Sequence, residues 1–249
     1  MKTTTRSKSA TPAKSTTSAT SAPPKKGAAA APAAALERRP RGSASRVSST
    51  RQASFTVPTL SLENGADVAE RLQQRLVSLL DLSLTLKHIH WNVVGPNFIG
   101  VHEMLDPQYA GVQAMIDDLA ERVATLGAVP SGLPGRIVDQ RTWTDYDLDR
   151  ADSIAHLGAL DVVYQGVISD HRREIEELDE LDPVSQDLLI GQSAILEKYH
   201  WMVRSHLADW AGGMSNAGAD SELGAAQAVT NKSRSGNGSR SGRSADGRR

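Results

Sequence analysis

The sequence predicts an all-α fold: a bundle of four long helices, with a short extra helix in the middle connection and a disordered tail at each end. Three observations carry it. Through residues 59–212 apolar side chains recur at three- and four-residue steps, the period of one helix face. Gly, Pro and capping residues cut that stretch into four segments of about 28–30 residues, each about 45 Å long as a helix. Nine of the ten aromatics, Trp91 to Trp210, lie inside it. No internal repeat and no strand period competes.

In the first helix Val68, Leu72, Leu76, Leu79, Leu82, Leu86, Ile89 and Val93 form the apolar stripe, with Asn64 as the expected N-cap and Gly95-Pro96 as the stop. Asn97 caps a second helix that ends at Gly127, a C′ glycine. A connection punctuated by Pro130, Gly132, Pro134 and Gly135 holds the short helix, expected near Trp143. The third helix fits about 152–180. Asp182-Pro183 is an N-cap followed by proline at the first helical position, opening a fourth helix that runs to Trp210 and ends at Gly212-Gly213.

Charge divides the chain. Residues 1–58 hold 11 basic residues and one acid, residues 231–249 hold six and one, and the stretch between carries a net charge of −16. Residues 1–58 and 213–249 have too little apolar surface to offset their ordering entropy and are predicted disordered. The first tail has a root-mean-square span of about 40 Å as a flexible coil. Basic tails on an acidic body point to a polyanion partner. Neither tail carries a base-reading motif, so its lysines and arginines suit sequence-independent phosphate contact. The absence of cysteine excludes a disulfide scaffold, a zinc–thiolate site and a cysteine nucleophile. No apolar run of about 18 residues is present for a membrane-spanning helix. The N-terminus has no secretory signal pattern; a transit peptide ranks below the tail reading.

Ligand-type side chains gather on the second helix. His102/Asp106 and Asp117/Glu121 are i,i+4 pairs, and the 11-residue step between them is about three whole turns, so all four share one stripe. The pairs sit about 16 Å apart along the axis, too far for one ion. Two antiparallel copies related by a two-fold axis bring one pair opposite the other. His90, at the end of the first helix, supplies another imidazole. Two histidines and three carboxylates suit ferrous iron or another borderline divalent ion. On spacing alone, a solvated polar face remains the competing reading.

His90-Trp91-Asn92-Val93-Val94-Gly95, Phe98, His102, Asp106, Tyr109, Asp117 and Ala120-Glu121-Arg122, with Glu197-Lys198-Tyr199-His200-Trp201, resemble the Dps family of ferritin-like DNA-protecting proteins. The resemblance covers about residues 60–212. It implies a ferritin-like four-helix bundle assembled into a hollow dodecamer built on two-fold dimers. It implies a ferroxidase that oxidises ferrous iron, with hydrogen peroxide as preferred oxidant, at a mono- or di-iron site, and stores ferric mineral inside. It implies that His90, His102 and Asp106 come from one subunit and Asp117 and Glu121 from its two-fold mate. It also implies DNA as a partner and a cytoplasmic, nucleoid-associated location. The DNA contacts would fall on Lys2, Lys8, Lys14, Lys25, Lys26, Arg38, Arg39, Arg41, Arg240, Arg243, Arg248 and Arg249. The alternative is a mini-ferritin storage cage whose tails serve assembly without binding DNA.

Trp91, beside His90, is the candidate electron donor in peroxide chemistry, against the commoner role of a buried packing residue. Asp182 and Asp187 are candidates for a cation-admitting three-fold pore. His200 reads as structural, because Glu197-x-x-His200 is only half of an intramolecular di-iron motif. Pro107 directly follows Asp106 inside the helix, which predicts either a kink or a displaced Asp106 carboxylate.

Overall fold

The computed structural model describes residues 54–238. Its elements are α1 (Leu62–Asn92), β1 (Val93–Val94), α2 (Phe98–Thr125), α3 (Pro134–Gln140), β2 (Ala151–Asp152), α4 (Ser153–Leu178), α5 (Pro183–Leu207) and α6 (Glu222–Gly238). The bundle is formed by α1, α2, α4 and α5, with α1 packed along α2, α4 along α5 and α1 also against α4. The expected α1 stripe from Val68 to Val93 is buried throughout, each of its eight side chains at most 2% exposed. Burying one such leucine contributes about 1.5–3 kcal/mol. The inner face of α2 adds Val101, Leu105, Val112, Leu119 and Val123 to the same core. Tyr164 is fully buried and donates its hydroxyl to Gln108 Oε1 at 2.7 Å, tying α4 to α2 at the bundle centre.

The elements depart from the sequence reading in four places. The N-cap of α1 is Ser61, not Asn64: its hydroxyl accepts the Asn64 N–H at 3.1 Å, so the helix begins one turn earlier. The short helix precedes Trp143, which lies in the following loop and donates Nε1–H to Asp81 at 2.7 Å. Helix α5 ends at Leu207, because Ala208 leaves helical torsions and bridges Met214; Trp210 stands in the turn beyond. A two-residue parallel pair joins Val93-Val94 to Ala151-Asp152, too short to show a strand period. As expected, Gly127 closes α2 in the left-handed region at φ 86°, with Gly127 N–H on Ala124 O and Ala128 N–H on Val123 O.

The largest correction concerns the C-terminal stretch. Residues 222–238, expected as disordered tail, form α6, which packs on α4. Ala225, Ala226 and Val229 are buried there. Gly158 makes the close approach possible: a Cβ at that position would lie 3.0 Å from Ala225 O. A stripe of alanines has no strong apolar signal until a glycine-notched partner is in place. At the other end, Val57 packs against the core, so the end of the expected N-terminal tail belongs to the folded body.

Candidate metal centre

The α1–α2 hairpin sets two histidines face to face. Gly95 at φ 87° and Asn97 at φ 63° turn the chain in the left-handed region between the helices. The parallel pairing of β1 with β2 holds that turn from one side. His90, in the last turn of α1, therefore meets His102, in the second turn of α2. Their rings stack with centroids 3.7 Å apart. Each ring donates Nδ1–H to the other residue's backbone carbonyl, His90 to His102 O at 3.1 Å and His102 to His90 O at 2.9 Å. A carbonyl can only accept, so these bonds place the proton on Nδ1 and leave both Nε2 lone pairs for a cation. Outer hydrogen bonds that orient histidines in this way are a regular feature of metal sites.

Asp106 completes the near side. Its Oδ1 lies 3.4 Å from His90 Nδ1 and 3.0 Å from Lys87 Nζ. The Lys87 hydrogen bond, with help from the nearby imidazoles, holds the Asp106 carboxyl below the usual carboxylate range. Lys87 also sits 4.8 Å from the centre of the Tyr109 ring. Helix α2 continues without interruption through Pro107, so the proline does not end the helix next to the ligand. The Asp106 carboxylate is drawn towards Lys87 through its Oδ1.

Asp117 and Glu121 lie further along α2, both exposed, and among the described residues neither forms an ion pair. Within the described residues of one chain, no three His, Asp or Glu side chains converge on a single cation position. The five candidate ligands thus form two half-sites separated along α2, His90/His102/Asp106 and Asp117/Glu121.

Trp91 is 73% exposed, which removes the buried packing role within a single chain. Asp187 is also exposed. Asp182 is buried and takes its partners within the chain. Its carboxylate accepts from Arg122 Nη2 at 2.6 Å and from the Ser185 hydroxyl. Burial pushes its pKa up, yet the Ser185 and Arg122 bonds outweigh it and hold the group low. A carboxylate so committed is a bracket between α2 and the start of α5. The tail positions Lys2, Lys8, Lys14, Lys25, Lys26, Arg38, Arg39, Arg41, Arg240, Arg243, Arg248 and Arg249 lie outside the described residues.

Two features escaped the sequence reading. Lys87 stands three residues before His90, on the same helix face, and that spacing was the available signal. His200 donates Nε2–H to Asp161 at 2.6 Å, while Asn216 holds the other Asp161 oxygen at 2.7 Å and Arg204 approaches at 3.4 Å. This buried network joins α4, α5 and the segment after α5, and gives His200 the structural role expected of it.

A ferritin-like domain profile matches residues 69–212. The chain is 54% identical over 180 residues to the DNA protection during starvation protein of Mycolicibacterium smegmatis, a match that spans 72% of this chain and 98% of that one. Among solved structures, Mycobacterium smegmatis Dps in its tetragonal form aligns with a TM-score of 0.64 at 56% identity, over 65% of this chain and 98% of that one. DpsA14 from Streptomyces coelicolor aligns with a TM-score of 0.65 at 52% identity, over 66% and 97%. A helical bundle with paired imidazoles at its α1–α2 turn, together with similarity of this extent, makes the chain a member of the Dps family of ferritin-like proteins.

Proposed function

We propose that the protein is a ferroxidase that takes up ferrous iron between two subunits, oxidises it and retains the ferric product in a hollow homo-oligomer, with its basic tails held on DNA. The observation that carries this is the reciprocal His90–His102 pair, with both Nε2 atoms left open beside Asp106. The two imidazoles and one carboxylate form one half of the iron site. Asp117 and Glu121 of a second copy, exposed and without ion pairs among the described residues, form the other half. A mixed nitrogen and oxygen set suits ferrous iron as substrate. Hydrogen peroxide is the oxidant in this reading. Two ferrous ions each give up one electron, the O–O bond breaks, and two protons complete two waters. Trp91, next to His90 and exposed on one chain, is the residue placed to pass an electron. The family relationship supports a dodecamer, and a cytoplasmic, nucleoid-associated location belongs to the same reading.

The test is a double substitution, His102→Ala with Asp117→Ala, one residue from each half-site. Rapid ferrous oxidation by peroxide should fall at least a hundredfold, while light scattering still reports the full-size assembly. Unchanged oxidation kinetics would sink the proposal.

A further inference from the structure

The turn that brings His90 to His102 is held from its far side by side chains outside the candidate ligand set. His88 and His90 stand two residues apart at the end of α1, about 200° around the helix, so they look in opposite directions. His90 meets α2, while His88 donates Nε2–H to Leu148 O at 2.8 Å. Asn92, one turn on, donates Nδ2–H to the His88 carbonyl at 2.8 Å. Leu148 is a firm anchor. It is buried against Ala155, Ala159 and Ala226, and its neighbour Asp147 gives its N–H to Glu222 at 2.9 Å.

A second tie reaches the turn itself. Asn97 holds φ 63° with no side-chain cap bond, a left-handed torsion that a non-glycine residue keeps where its surroundings impose it. The carbonyl just before it, Pro96 O, accepts the Ser153 hydroxyl across 57 residues of chain. Ser153 is the first residue of α4 and is 3% exposed. Asp152 caps that helix: its Oδ1 accepts the Ile154 N–H at 3.1 Å, and its Oδ2 closes over Gly95, 2.9 Å from where a Cβ would sit. The Ser153 bond is therefore not needed to start α4. Pro96 is exposed, so its carbonyl turns to water when that donor is removed.

We infer that Ser153 and His88 are positioning residues of the iron half-site, fixing the α1–α2 turn so that the two imidazoles exchange their backbone hydrogen bonds. Each ring is oriented by a carbonyl on the other side of the turn, so a shift of either helix end loosens both bonds together. The effect on iron rests on the proposed ferroxidase reading, whereas the effect on the two rings does not.

The experiment compares full-length Ser153→Ala and His88→Ala with the parent by Co(II) absorption, ferrous oxidation kinetics and a crystal structure of each. Either substitution should raise the KM for ferrous iron at least fivefold, leave kcat within twofold and shift the d–d bands of bound Co(II). His88→Gln, whose amide still donates to Leu148 O, should restore the parent KM and spectrum. The melting temperature of Ser153→Ala should stay near that of the parent, because Pro96 O is solvated. A lowered melting temperature with the parent KM and spectrum marks a purely structural residue and overturns the inference. So does a Ser153→Ala structure in which the rings still stack at 3.7 Å with both bonds kept. A parent that neither binds Co(II) nor oxidises ferrous iron removes the proposed function instead, and the ring geometry of the variants then decides the inference by itself.

Discussion

At His171 and His156 the bundle encloses two imidazoles outside the proposed iron site, and both are fully buried. Burial lowers each to about 4, with Arg75 adding to the effect at His171 and His88 at His156. The folded state therefore holds both rings neutral, while the unfolded chain protonates them near 6.5. Their contribution to stability is complete above about pH 6.5 and is lost as pH falls from there towards 4. Each is worth up to about 3 kcal/mol at the low end. Urea midpoints measured between pH 7 and 4 should decline across that window, and His171→Gln should flatten the slope. A profile as steep in the variant as in the parent contradicts this account. The same scale governs the proposed iron site. Its tautomers follow from two backbone hydrogen bonds, and its one near carboxylate is restrained by one lysine.

Among the elements, α6 depends most on a single contact. Glycine inside a helix costs about 1 kcal/mol relative to alanine, so Gly158 in α4 implies a compensating packing gain. That gain is the approach of α6, with Ala225 O only 3.0 Å from where a Cβ would sit. Gly158→Val should detach α6 and leave the other helices in place. Limited tryptic digestion should then cut rapidly at Lys232 or Arg234, with loss of about one helix of circular dichroism signal. Persistent resistance at those sites would mean that α6 is held by other contacts. The α1 and α2 boundaries were legible to about one turn because turn glycines and apolar steps are local signals. The α6 boundary was not, since its alanines gain meaning only against a notched neighbour.

For the whole molecule, the near-neutral total of −1 conceals an acidic body between basic ends. An acidic body repels DNA, so the proposed DNA contact has to run through the tails. Each phosphate neutralised contributes a slope of about −0.9 to log affinity against log salt, and many tails on one assembly add avidity. Replacing the twelve tail lysines and arginines named above by Gln should weaken gel-shift affinity at least a hundredfold and flatten its salt dependence. Retained binding in that variant favours the storage-cage reading with tails that serve assembly.

The sequence by itself determined the helical class, four bundle helices and the stripe on which His102, Asp106, Asp117 and Glu121 stand, because periodicity, caps and turn glycines act within a few residues. It also separated the candidate ligands into two half-sites, since helical rise is fixed per residue. Only the tertiary structure decided which partner each charged group takes. Arg122 claims Asp182 across 60 residues of chain, Lys87 restrains Asp106 across 19, and Glu222 takes the Asp147 N–H across 75. Such choices depend on which helices pack together and how closely, and no local pattern encodes them.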